Sequence, residues 1–161
     1  TPDFTYGFNI YLEYKNFDFT AFFQGVQGVD IISDLKKETD IWAGLNIGFL
    51  NKGRRLLDAW SATNPNSNIP AVSLSDNNNE KRVSSYWVEN GSYLKLRTVQ
   101  IGYNVPKSFA QKLAMERLRF YLSAQNLFTV KSSSFTGVDP ENPNYGYPIP
   151  LNITFGLNVT F

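Results

Sequence analysis

The chain contains no cysteine and no histidine. The first absence excludes disulfides and thiolate metal sites. The second removes the commonest general base and the commonest metal ligand. Nucleophilic and zinc chemistry are left without their usual residues, so no catalytic residue, no metal and no cofactor is assigned. An excess of either charge is also missing: 15 basic residues stand against 14 acidic ones, for a net charge of +1. Nucleic acid, which calls for a basic stripe, is therefore not an expected partner. No run of about 18 apolar residues occurs, so no transmembrane helix is expected. The opening Thr1-Pro2-Asp3 does not read as a signal peptide.

Aromatic residues are abundant: 13 Phe, 9 Tyr and 3 Trp make up 16% of the chain. Rings favour strands and also collect at membrane–water boundaries. Five segments alternate apolar and polar residues with a period of two, which predicts strands at about 4–14, 17–27, 92–105, 117–128 and 151–161. In the last, Leu151, Ile153, Phe155, Leu157, Val159 and Phe161 oppose Asn152, Thr154, Gly156, Asn158 and Thr160. The third slips phase once, which predicts a β-bulge near Arg97-Thr98. Lys15-Asn16 forms a tight turn. Pro106 ends the third strand, and Lys107–Met115 reads as a short helical turn with Ser108 as N-cap. Between strands, 28–91 is a long polar stretch with helix-like pieces near 35–50 and 54–60. Residues 129–150 form a loop rich in Pro, Gly and Asn.

Alternation alone suits a soluble β-sandwich used as a ligand-binding module. Three features favour a membrane barrel instead. The strands run to about 11 residues, the length needed to cross hydrocarbon at a tilt. In an up-and-down meander the rings fall into two belts: Tyr14, Phe17, Tyr103, Phe120 and Phe161 at one level, and Phe4, Tyr6, Phe23, Tyr93 and Phe128 at the other. Finally, the connections on the Phe161 side are short, whereas 28–91 and 129–150 are long, matching short periplasmic turns and long extracellular loops. A terminal strand ending in Phe161 is also a usual barrel-assembly signal. The fold expected is all-β: an antiparallel meander forming the C-terminal strands of a large transmembrane barrel. Asn9, Glu13, Asp18, Gln24, Arg119 and Gln125 are then predicted to face the lumen.

Several stretches resemble the SusC/RagA family of TonB-dependent transporters in that family's order. They are TPDFTYGFNIYLEYKNFDFTAFFQGVQGVDI (1–31), LLDAWSATNPNSNIP (56–70), RVSSYWVENGSYLKLRTVQIGYNVP (82–106), LRFYLSAQNLFTV (118–130) and TGVDPENPNYGYPIPLNITFGLNVTF (136–161). The resemblance implies a barrel of about 22 strands in the bacterial outer membrane, plugged by an N-terminal domain. It also implies energy coupling through the TonB complex, a SusD-like surface lipoprotein as partner, and an oligosaccharide or peptide as substrate. This chain would be one part of that wall, because five strands leave edges that lipid does not tolerate.

Within the loops, Trp60, Asn64, Asn68 and Pro70, together with Trp87, Tyr145 and Tyr147, are candidate contacts to ligand or lipoprotein. Self-packing competes with that role, above all for Trp87, which precedes the turn signal Glu89-Asn90-Gly91, where Gly91 could take a positive φ. Trp42, at helical spacing from Leu45 and Phe49, reads as packing. Asp139, Glu141, Asn142 and Asn144 resemble a calcium loop only loosely, since the spacing matches no EF-hand. Glu13 with Asp18 is a weak glycosidase pair, and no enzymatic activity is expected. A passive porin-like or adhesin barrel is a further rival.

Overall fold

A computed structural model describes residues 1–40, 51–73, 79, 82–143 and 147–161. Trp42, Asn144 and Tyr145 lie outside the described residues. The chain divides into two compact units. One comprises 1–29, 91–132 and 149–161; the other comprises 30–90 and 133–148. The strands are β1 (Phe4–Tyr14), β2 (Phe17–Gln27), β3 (Asp30–Ile32), β4 (Val88–Asn90), β5 (Tyr93–Asn104), β6 (Arg117–Lys131) and β7 (Asn152–Thr160). The helices are α1 (Asp34–Asp40) and α2 (Lys107–Ala110).

The first unit is one antiparallel sheet in the order β1-β2-β5-β6-β7. Strands adjacent in that order are also consecutive among the long strands, so the sheet is a meander. Its register aligns the apolar residues into rungs that cross all five strands. Tyr14, Phe17, Tyr103, Phe120 and Leu157 form one rung, and Leu12, Phe19, Ile101, Leu122 and Phe155 the next. Ile10, Ala21, Val99, Ala124 and Ile153 form a third. A one-residue slip anywhere would turn a whole strand to the other face, so this pattern specifies the register. Ring contacts reinforce it: Phe8 stacks on Phe23 at 4.8 Å, and Phe17 meets Tyr103 at 4.8 Å. Cross-strand pairs of this kind are worth roughly 0.2–1 kcal/mol each.

The phase slip in β5 is a bulge. Phe22 pairs with Thr98 and Phe23 with Leu96, which leaves Arg97 as the extra residue. On the other side Leu96 pairs with Phe128 and Thr98 with Gln125, so Asn126 and Leu127 oppose Arg97 alone. Asn126 takes φ 56°, the left-handed conformation that a bulge of this kind uses. This compensation lets β6 run on to Lys131, beyond the expected end near residue 128. It also settles Tyr93. Counting back from Leu96, Tyr93 falls on the polar face, where it is buried, and so it leaves the ring belt in which the sequence placed it.

The apolar face of the sheet is uncovered. Phe155 is 70% exposed, and Leu12, Ile101, Leu122, Ile153, Leu157 and Phe161 are exposed as well. A sandwich would bury these side chains against a second sheet. The β-sandwich alternative fails on this observation. The outer edges of β1 and β7 carry no partner among the described strands. A sheet with a bare apolar face and two open edges is a piece of wall from a larger barrel.

Three local expectations need correction. Ser108 does not cap α2. Pro106 occupies the N-cap position with no side-chain cap bond, and its carbonyl accepts the N–H groups of Phe109 and Ala110. Proline fits there because it has no N–H to satisfy and its φ is preset. Gly91 has no positive φ; among the described residues the left-handed glycine is Gly28, at φ 67°. Gly91 instead donates its N–H to the Val29 carbonyl at 2.7 Å, carrying the chain from β4 into β5. The helix-like piece near 54–60 is a 3-10 turn over Arg54–Asp58, and of the piece near 35–50 the described part is α1.

Candidate functional site

Two surfaces carry polar groups at organised spacing. The first is the polar face of the wall. Strand alternation and register place Asn9, Glu13, Asp18, Gln24, Arg119 and Gln125 together on that face. Asn9 and Gln125 share a single rung with Phe22, Thr98 and Asn152. Asp18 and Arg119 form an ion pair that is largely shielded from water, with Nη2–Oδ1 at 2.5 Å and Nε–Oδ2 at 3.1 Å. The Asn104 amide donates to the same carboxylate at 3.2 Å. Arg97, at the bulge, donates to Gln24 at 2.8 Å. Glu13 accepts from the Tyr11 hydroxyl at 3.0 Å. Glu13 and Asp18 are cross-strand partners, but the Asp18 carboxylate is committed to Arg119, so the two do not form an acid–base pair.

The second surface belongs to the loop unit. A polar network joins segments distant in sequence. Ser33 caps α1, accepting the Lys36 N–H at 3.2 Å. Buried Glu89 accepts from the Thr136 N–H at 3.0 Å and its hydroxyl at 2.8 Å, and stands 3.7 Å from the Lys36 ammonium. Lys36 donates to the Tyr86 carbonyl at 2.6 Å and lies 4.2 Å from the Tyr86 ring centroid. The Tyr86 hydroxyl donates to buried Asp40 at 2.7 Å, and Arg55 donates to the same carboxylate at 2.7 and 2.5 Å. The two long loops are thereby one folded body. Sequence reading missed this set, since its members are scattered through polar segments. Only Ser33, one residue before α1, carried a local signal.

Burial, then the hydrogen bond to Asp40 and that carboxylate's charge, push the Tyr86 phenol well above its ordinary value. A folded-state pKa raised in this way adds stability that is complete below the unfolded value, near 10, and is lost as pH climbs past it. Tyr86→Phe removes one hydrogen bond and should cost about 1 kcal/mol in loop stability. It should also erase one late-titrating phenol. An absorbance difference titration of wild type minus variant checks this, and a difference that titrates at the ordinary tyrosine position would contradict it.

Trp60 lines the opening in this unit. Its backbone N–H donates to the Ile69 carbonyl at 2.9 Å, and the Asn64 side-chain amide donates to the Asp58 carboxylate at 2.9 Å, closing the loop. The result is a groove of about 400 Å³ lined by Trp60, Ser67, Asn68, Ile69, Pro70 and Ala71, with Ser73 at its end. Trp60 is half exposed, and the Asn68 amide bonds to no described residue. Trp60, Asn68 and Pro70 thus come together. Asn64 does not line the groove; its amide fastens the loop. Trp87 is 2% exposed and donates its indole N–H to the Arg82 carbonyl at 3.0 Å, so packing, not contact, occupies it. Tyr147 is almost fully exposed and is not among the residues lining the groove. Asp139 accepts the Glu141 N–H at 3.0 Å, and its carbonyl accepts that of Asn142. This is Asx-turn chemistry, and no group of three or more potential metal ligands occurs among the described residues.

No family model matches the sequence. TonB-dependent receptor P3 of Formosa agariphila is 38% identical over 177 residues, spanning 100% of this chain and 16% of the relative. The RagAB peptide importer in its open-open state matches over 100% of the chain and 17% of its own, with a TM-score of 0.81 and 27% identity. The closed-closed state gives 0.80 and 28% over the same coverage. The chain belongs to the TonB-dependent receptors. It spans about a sixth of the length of the receptors it matches. Such receptors are outer-membrane proteins, and a bare apolar sheet face suits the lipid side of a barrel wall. The solved RagAB neighbours agree with the SusC/RagA resemblance seen in the sequence.

Proposed function

We propose that the intact receptor imports an oligosaccharide or peptide across the outer membrane, powered through the TonB complex and capped by a SusD-like lipoprotein. In this reading the polar face of the sheet lines the lumen, and the loop unit lies on the extracellular side. The observation that carries it is the likeness to the RagAB peptide importer along the whole chain. The Trp60 groove supports ligand or lipoprotein contact: an exposed indole face offers stacking and the Asn68 amide offers hydrogen bonds. Peptide is the class favoured, because the solved neighbours are named peptide importers.

The test is uptake by cells carrying the intact receptor, fed either a defined peptide mixture or an oligosaccharide mixture. Growth on peptides alone supports the peptide class, and growth on oligosaccharides alone overturns it. Trp60→Ala should weaken retention of the imported class by about tenfold, as loss of an aromatic anchor does. Unchanged retention removes the groove from the import path.

A further inference from the structure

The connection between β5 and β6 is a built element. Val105 donates its N–H to the Leu118 carbonyl at 2.9 Å, Met115 to that of Ala110 at 3.1 Å, and Glu116 to that of Thr160 at 2.7 Å. A 3-10 turn over Gln111–Leu113 follows α2 directly, and Ala114, at φ 55°, ends it. The connection packs on the apolar side of the wall. Leu118 is on the same row of β6 as Phe120 and Leu122, yet it is 8% exposed while those two are exposed. Ala110 is wholly buried, and α2 packs against β6.

What the connection shows to the outside is amphipathic. Phe109 and Leu113, four residues apart on a helical turn, are both half exposed. Lys107 and Lys112 are exposed beside them. The neighbouring hairpin turn adds Lys15, exposed and 5.2 Å from the Tyr14 ring centroid; the Asn104 N–H donates to the Asn16 carbonyl at 2.8 Å, so the turn is fixed to the end of β5. Three lysines thus face one exposed acid, Glu116, on these two connections. The patch is continuous with the ring rung of Tyr14, Phe17, Tyr103 and Phe120.

We infer that residues 106–116 form an interfacial foot: Phe109 and Leu113 enter the acyl boundary of the adjacent leaflet, while Lys107, Lys112 and Lys15 hold the phosphate of an anionic phospholipid. Continuity with the lipid-facing wall fixes the depth, and the excess of lysine selects the headgroup charge. A protein partner on the same patch would need an apolar surface that also stopped at the membrane plane. The foot rests on the barrel reading and, through the short-turn asymmetry, on the periplasmic leaflet.

The test uses the intact receptor in nanodiscs of phosphatidylethanolamine, alone or mixed equally with phosphatidylglycerol, followed by native mass spectrometry of retained lipid. Wild type should retain phosphatidylglycerol preferentially. Each of Lys107→Gln, Lys112→Gln and Lys15→Gln should weaken that retention about fivefold, with retained phosphatidylethanolamine unchanged. Phe109→Ser with Leu113→Ser should weaken retention of both lipids. Equal phosphatidylglycerol retention by wild type and the triple lysine variant overturns the foot while leaving the barrel intact. Failure of wild type to enter nanodiscs overturns the barrel reading itself.

Discussion

Leu122→Arg should destabilise the intact receptor by about 1–3 kcal/mol, whereas Ser123→Arg, one residue away, should cost less than about 1 kcal/mol. The two sites are adjacent in β6 and point to opposite faces. Leu122 lies on the rung with Leu12, Phe19, Ile101 and Phe155, one rung inside the ring belt, where a guanidinium meets hydrocarbon. Ser123 lies on the rung with Tyr11, Thr20, Gln100 and Thr154, where a guanidinium meets polar side chains and, in the barrel, water. The measurement is the urea midpoint of the receptor folded into bilayers, read by heat-modifiable mobility. Equal costs at both sites would mean that the two faces see the same medium, and the wall would not be transmembrane.

The wall was legible because its information is local. A period of two assigns each side chain to a face, and a single face with one solvent fixes the register. Even the bulge at Arg97 left a trace, as the slip from Leu94 and Leu96 to Val99 and Ile101. Its counterpart at Asn126 and Leu127 left none, since a residue at positive φ with a polar neighbour reads as ordinary strand, and β6 was expected to end early. Tyr93 was misplaced by level alone; the face follows only once the bulge is counted. The loop unit was illegible for a different reason. Glu89 finds Thr136 at a separation of 47 residues, and Asp40 finds Tyr86 at 46. No window of sequence contains both partners, and buried charges in a polar segment look like solvated ones. Trp87 shows the same limit: nothing in Ser-Tyr-Trp-Val-Glu distinguishes an anchor from a ligand contact until burial is known.

The Asp18–Arg119 pair should behave as a single unit. Asp18→Ala alone or Arg119→Ala alone should cost about 1 kcal/mol, because each leaves a partly shielded charge without its counterion on a face that stays polar. The double variant should cost clearly less than the sum, giving a coupling of roughly 0.5–1 kcal/mol in a double-mutant cycle. The geometry supports this coupling. Arg119 reaches across β5 to a residue 101 positions earlier, with two nitrogens on two carboxylate oxygens. The space for that reach comes from Gly102, the cross-strand partner of Asp18: a Cβ there would fall among the Arg119 guanidinium and Asp18 carboxylate atoms. Gly102→Ala should therefore reproduce most of the loss without removing either charge, and should do little more in the Asp18→Ala, Arg119→Ala background. That dependence is what separates a pair held by the backbone from two surface charges that happen to meet. Additive costs across the cycle, with Gly102→Ala equally harmful in both backgrounds, would show that the pair contributes nothing of its own and that the glycine serves the strand alone.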